Sequence, residues 1–278
     1  MKKISLLLYI FSLMSVATTA QSLKTIWVSQ KVFKVPESVF YNAATHQIYV
    51  SNINGSSSAK DGNGFISMLD KQGKIIQLQW IKGLNAPKGM AVEGTHLYVS
   101  DIDRLVEIDL TKGKIIRSFP AAGAKFLNDV AIDTQGHVFV SDTQLGAIYR
   151  LINGHLGIWK ESPVLSGANG LAMENGLLLV GARGQLLSID PETGIIKKLV
   201  GNPGGIDGLI PLGNGRYLVS DWAGKIQLIS RDHQALILSN TTAEKINAAD
   251  LGFNRSKKIV YIPTFFDNRV IAKQLNAY

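Results

Sequence analysis

The sequence predicts an all-β chain folded as a six-bladed β-propeller, and three observations carry the prediction. Hydrophobic residues alternate at period two along most of the chain, and strong helical patterning is absent. Glycine-containing turns such as Asp70-Lys71-Gln72-Gly73, Pro191-Glu192-Thr193-Gly194 and Gly213-Asn214-Gly215 break the alternation at short intervals, as hairpins require. A two-strand phrase then recurs six times, opening at Glu37, Lys88, Asn128, Asn169, Asp207 and Asp250. Its spacing of roughly 40 residues is that of one four-stranded blade.

The first twenty residues stand apart from this pattern. Lys2 and Lys3 precede an apolar run from Ile4 to Met14, and Thr18-Thr19-Ala20 supplies small residues before Gln21. This is the layout of a secretory signal peptide cut after Ala20, which leaves 21–278 as a single domain in the periplasm or outside the cell. No later stretch is long and apolar enough to span a bilayer, so no stable membrane insertion is expected after cleavage.

Each repeat reads as four strands. In the second, Gly89 to Val92 is innermost, followed by Leu97 to Asp101, Leu105 to Asp109 and Lys114 to Phe119. The first repeat carries an extra glycine- and serine-rich stretch from Asn52 to Gly64, which is either a lid over the channel mouth or a surface insertion. The last repeat stops after its third strand, Arg269 to Leu275, while a spare strand, Thr25 to Phe33, precedes the first. Pairing the two supplies the missing outer strand, closes the ring and hides its edges.

Composition removes several chemistries. There is no cysteine, which excludes disulfides, thiolate metal sites and a cysteine nucleophile. The formal net charge of +8 is scattered over turns such as Lys112-Gly113-Lys114 and Arg255-Ser256-Lys257-Lys258, with no basic stripe, so no nucleic-acid partner is expected. The five histidines lie in or beside turns. Neither a Gly-x-Ser-x-Gly elbow nor a Walker loop is present.

The six opening residues project toward one axis, and most bear oxygen. Glu37, Asn128, Asn169, Asp207 and Asp250 offer hard oxygen, and two carboxylates with two amide oxygens would suit one divalent cation, Ca²⁺ first, with Mg²⁺, Mn²⁺ or Zn²⁺ as alternatives. Turn capping would also place Asp and Asn before strands. Lys88, Lys125 and Asp250 are candidates for substrate binding. Gly89, Gly170 and Gly208 read as backbone devices. A second series, Asn52, Asp101, Asp142 and Asp221, ends the second strands and is expected to satisfy turn amides between blades. Tyr49, Tyr98, Phe139 and Tyr217 alternate with aliphatics as core, while Trp222 fits either core or mouth.

The phrases Pro36-Glu37-Ser38-Val39-Phe40-Tyr41, Asn128-Asp129, Asn169-Gly170-Leu171 and Asp207-Gly208-Leu209, in that order, resemble the senescence marker protein / gluconolactonase / luciferin-regenerating enzyme family. The resemblance spans about residues 30–275. It implies a propeller with one axial cation held by Glu37, Asn128 or Asn169, and Asp207. It further implies that Asp207 acts as general base toward a sugar lactone or related ester. The substrate would be a small molecule, anionic or sugar-derived. The family's arginine two residues before the third-blade asparagine is Phe126 here, with Lys125 before it. That departure keeps a second expectation open, a non-catalytic propeller that binds a small anion, a glycan or a protein. A third is a strictosidine-synthase-like enzyme with different chemistry in the same channel.

Overall fold

A computed structural model describes residues 21–276, so the expected leader over 1–20 lies outside the described residues. Strand β1 (Ser22–Val28) comes first. Blade one follows as β2 (Pro36–Asn42), β3 (Gln47–Asn52), β4 (Gly64–Leu69) and β5 (Ile75–Leu84), and blade two as β6 (Pro87–Glu93), β7 (His96–Asp101), β8 (Arg104–Asp109) and β9 (Lys114–Pro120). Blade three is β10 (Leu127–Ile132), β11 (Val138–Asp142), β12 (Ala147–Ile152) and β13 (His155–Glu161), and blade four is β14 (Leu171–Glu174), β15 (Leu177–Ala182), β16 (Gln185–Ile189) and β17 (Ile196–Gly201). Blade five is β18 (Leu209–Gly213), β19 (Arg216–Asp221), β20 (Lys225–Ile229) and β21 (Ala235–Asn240). Blade six is β22 (Gly252–Asn254), β23 (Ile259–Pro263) and β24 (Val270–Asn276). Six antiparallel sheets of four strands result, a six-bladed β-propeller with no α-helix among the described residues.

The sixth sheet runs β1-β24-β23-β22, with Ser22 opposite Asn276 and Val28 opposite Ile271. The N-terminal strand thus lies a few residues earlier than Thr25 to Phe33. Phe33 instead turns inward and packs with Val39, Ile48 and Tyr261. Each seam between blades has its own apolar cluster, for example Tyr49, Ile66, Leu97 and Val99 between blades one and two. The expected core aromatics Tyr49, Tyr98, Phe139 and Tyr217 are all buried in such seams. Outer strands carry the exposed aliphatics, including Ile76, Ile116 and Ile237.

The recurring Ser-Asp ending of the second strands has a physical reason. Ser51, Ser141 and Ser220 hydroxyls accept the amides of Ser38, Asp129 and Gly208 on the innermost strands. Ser100 donates to the Asn128 carbonyl and Ser220 to the Ala249 carbonyl, each on the next blade, the latter at 2.7 Å. The following residue then holds the crossing between blades. Asp101 accepts the Asn85 and Ala86 amides at 2.8–3.0 Å. Asp142 accepts those of Lys125 and Phe126, and Asn52 accepts that of Lys34. Asp221 is less committed, taking the Ala223 amide at 3.0 Å. Asp101 is fully buried and also pairs with Arg104 at 2.7 Å. Replacing it with alanine strands two amides and removes one partner of Arg104, so Asp101→Ala is expected to cost about 2–4 kcal/mol. Asp221→Ala should cost about 1 kcal/mol. Denaturant unfolding midpoints of the two variants check the ranking.

Candidate functional site

The backbone places the predicted ring residues on two levels. The Asn169, Asp207 and Ala249 amides bond to the neighbouring second-strand carbonyls of Gly181, Ser220 and Pro263. The serine bonds to the Asn128 and Ala249 carbonyls put those two residues in the same place. The upper level is therefore Glu37, Lys88, Asn128, Asn169, Asp207 and Ala249. Asp250 sits one residue deeper, level with Ser38, Gly89, Asp129, Gly170 and Gly208, bridging Ser38 in parallel register. Asp250 thus does not occupy the sixth opening position that the sequence phrase suggests; alanine does.

At the lower level there is little room. A Cβ on Gly89 would lie 2.5 Å from the Asp129 Cα, one on Gly170 2.4 Å from the Asp207 carbonyl oxygen, and one on Gly208 2.5 Å from the Leu251 amide. The two carboxylates at this level cross to the next blade. Asp129 accepts the Leu171 amide at 2.6 Å, and Asp250 accepts the Ser38 hydroxyl. Both line an axial cavity of about 210 Å³ that opens between the inner strands on the far side. A larger cleft of about 530 Å³, lined by turn residues such as Thr134, Asn175 and Glu192, lies between blades three and four away from the donors.

On the upper level the amide groups are oriented by the protein. Asn169 Nδ2 donates to Asp207 Oδ1 at 2.8 Å. An ionised carboxylate can only accept, so Asn169 must turn its carbonyl oxygen away from Asp207. Asn128 Nδ2 donates to Thr143 at 3.0 Å, and Thr143 in turn donates to the Ala168 carbonyl. Asn169 Oδ1 and Glu37 Oε2 are buried and accept no hydrogen bond. Unsatisfied buried acceptors of this kind are costly unless something fills them.

The electrostatics agree. Burial pushes Glu37 well above the usual carboxylate range, with repulsion from Asp207 adding to it and Lys88 opposing it. Burial raises Asp207 to about 7 against the stabilising bond from Asn169, and raises Asp129 to about 7 against two backbone amides. Asp250 is raised too, first by desolvation and then by Asp129 and Glu37. Four mutually repelling carboxylates and one ammonium share the axis. No three Asp, Glu, His or Cys groups form a preformed cage among the described residues. The oxygen set is instead mixed carboxylate and amide, which fits a hard divalent cation held by Glu37, Asn128, Asn169 and Asp207.

Lys88 is 1% exposed. Its ammonium donates to the Ala86 carbonyl at 3.0 Å and the Ser57 carbonyl at 3.1 Å, and lies 4.3 Å from the centre of the Phe126 ring. Burial lowers it to about 8, while Glu37 and Asp101 raise it. Ser57 belongs to the long first loop, so that loop is anchored over the channel mouth. Lys60 of the same loop pairs with Asp103 at 2.5 Å. Lys125 is exposed, and only its backbone amide takes part, bonded to Asp142. Sequence reasoning passed over Asp129 and Thr143. A carboxylate following the opening residue, where blades one, two, four and five carry serine or glycine, was the available sign of the first.

These features define a β-propeller with an axial cluster of oxygen donors. No protein-family model and no curated protein sequence matches the chain. Solved structures do. A candidate gluconolactonase is 17% identical with a TM-score of 0.68, over 92% of this chain and 92% of that one. A catalytically inactive virginiamycin B lyase from Staphylococcus aureus, solved with quinupristin, is 14% identical with a TM-score of 0.62, over 92% of this chain and all of that one. A streptogramin B lyase gives 14% and 0.62 over 92% and 98%. At these identities the likeness establishes the shared fold.

Raised carboxylate pKa values have a sign that can be checked. Between the unfolded value near 4 and the folded value, the native state binds more protons, so stability falls as pH rises. With chelator present, the melting temperature should therefore drop from pH 4 to pH 7 as Asp129 and Asp207 ionise. Added Ca²⁺ should restore it most at the upper end, and Glu37→Gln should shrink both effects. Thermal shift across this range, with and without divalent cations, is the measurement.

Proposed function

We propose that this chain is an exported hydrolase of a lactone or related ester, working with one divalent cation on the propeller axis. The observation that carries the reading is the pair of buried, unpartnered oxygens, Glu37 Oε2 and Asn169 Oδ1, beside an oriented Asp207. Glu37, Asn169 and Asp207, with Asn128, would hold the cation, which when bound would polarise a carbonyl oxygen as a Lewis acid.

The remaining work falls to the chain itself. Asp207, fixed by Asn169 at 2.8 Å, takes a proton from water as the hydroxide adds to the carbonyl carbon. The bond from that carbon to the ring oxygen then breaks, and Asp207 returns the proton to the departing oxygen, giving a hydroxy acid. Burial raises Asp207 to about 7, and beside a bound cation it would fall again, keeping the carboxylate ionised and able to accept the proton. Lys88 adds a fixed positive charge beside Glu37. The anchored first loop would shelter the site from bulk water.

Two features separate this reading from others. The lyase neighbour's inactive form carries a histidine-to-alanine change. Here His46, His96, His137, His155 and His233 all lie in or beside hairpin turns, away from the donors. A non-catalytic binding propeller is favoured by Phe126, which stands where the resembling family carries arginine and whose face is taken by Lys88. Turnover decides between them. Hydrolysis of members of a lactone panel should be lost on chelation, and Asp207→Asn should lower kcat by about 10²–10⁴ while the fold persists. Ligand-induced stabilisation with no chelator-sensitive turnover, on purified protein at high concentration, would favour the binding propeller instead.

A further inference from the structure

Blade six breaks the polar ring, and what replaces it is aromatic. Ala249 holds the upper position there and packs with Ile53, Ile102 and Phe265. Phe265 begins a short 3₁₀ turn, Phe265–Asp267, which packs against β2, the strand that carries Glu37. Phe266 from that turn is 63% exposed and Trp222 from blade five is 44% exposed. These are the exposed large aromatic side chains among the described residues; the other exposed hydrophobics are aliphatic and lie mostly on outer strands.

The three rings form one assembly. Their centroids are 4.8–5.9 Å apart, and each pair meets edge to face at 79–85°. The backbone is held in an uncommon shape to present them, since Phe265 has φ of +47°. For a bulky side chain that region is disfavoured and survives only where neighbours enforce it. They do so here. Asn268 Oδ1 accepts the Val35 amide at 2.8 Å, and Asp267 is gripped by Lys31 and Arg269, each at 2.6 Å. The Trp222 carbonyl accepts Asn247 Nδ2 at 2.9 Å.

The same bonds engage several of the polar groups around the rings, while Asp221, next to Trp222 in sequence, accepts the Ala223 amide. The Asn247 amide nitrogen, both ends of the Asn268 side chain, and the Thr264 hydroxyl are engaged within the protein. Sugar hydroxyls need donors and acceptors alongside a stacking ring, and the Asn247 and Asn268 amide nitrogens already have acceptors within the protein. A flat apolar group would meet edges and faces already set for offset or edge-to-face contact.

We infer that Trp222 and Phe266, backed by Phe265, form a subsite for an apolar, preferably aromatic, substituent of the ligand whose carbonyl reaches the ring donors. The inference rests on the hydrolase reading for which end enters the ring. It makes aryl-substituted lactones or esters the favoured class over polyhydroxylated ones.

The test uses lactams, the hydrolysis-resistant counterparts of lactones, so that binding is read without turnover. Unsubstituted, phenyl-substituted and polyhydroxylated δ-lactams are titrated calorimetrically into the Ca²⁺-loaded protein and into Trp222→Ala and Phe266→Ala, with melting curves to confirm folding. The phenyl lactam should bind at least tenfold more tightly than the unsubstituted one, and each variant should erase most of that difference while leaving the unsubstituted lactam unchanged. An aryl preference that survives both substitutions overturns the inference. So does tighter binding of the polyhydroxylated lactam, or no preference at all. An aryl preference without hydrolysis of any lactone would sink the hydrolase reading and leave the subsite standing. Sugar-lactone hydrolysis without aryl preference would do the reverse.

Discussion

Crowding at the axis governs this molecule. Six sheets converge on one line, and at the residue after each ring position the backbone of one blade crowds the next. Gly89, Gly170 and Gly208 have no space for a methyl group there. A side chain can exist at that level only if it crosses the seam and bonds to the neighbour, as Asp129 does to Leu171 and Asp250 to Ser38. The level above then becomes the first place where six side chains can face one another. The site is a by-product of closure, located by sterics before any chemistry is chosen.

What closure brings together is electrostatically unfavourable. Glu37, Asp129, Asp207 and Asp250 repel each other in a desolvated space, and each has its proton affinity raised. Within the ring, compensation comes from Lys88, the amides and the Ser38 hydroxyl on Asp250. The rest is the apolar packing along the seams, together with the Ser-Asp bonds that tie each crossing to the strand beside it. A fold held from its periphery can keep an axial cluster poised for a ligand, because relaxing the cluster would require parting blades packed at native density.

Much of this was legible in the sequence because propeller repeats carry their register in short phrases. The all-β pattern, the blade count, the shared ring level of Glu37, Asn128, Asn169 and Asp207, and the turn-satisfying role of Asn52, Asp101 and Asp142 could be read directly. Asp250 shows why the rest could not. In Ala249-Asp250-Leu251-Gly252 the only polar residue stands at 250, so alignment by chemistry selects it. Alignment by backbone, visible through the bond from Ser220 to the Ala249 carbonyl, selects its neighbour. Asp129 hid beside a more conspicuous asparagine. The long first loop gave no sign of its attachment, which depends on one carbonyl, Ser57, meeting a lysine 31 residues away. The aromatic turn was hidden for a similar reason, since Phe265-Phe266 follows closely on an apolar strand in sequence and is turned away from it by the backbone at Thr264 and Phe265.

The resulting mouth is lopsided in a way that gives a ligand direction. Carboxylate and amide oxygens come from blades one, three, four and five, a buried ammonium from blade two, and an apolar surface from blade six. Phe126 completes the asymmetry. By offering its face to Lys88 it converts a position that resembles an anion-binding arginine into a wall, and the charge it shields is spent on backbone carbonyls at 3.0 and 3.1 Å. An arginine there would have presented a planar, exposed fork to a carboxylate or phosphate. Lysine buried under an aromatic ring presents a field without a handle. On the proposed reading, the site would discriminate among ligands through the shape and polarity of its rim more than through a dedicated anion contact. Its selectivity should be sought in the part of the ligand that never enters the ring.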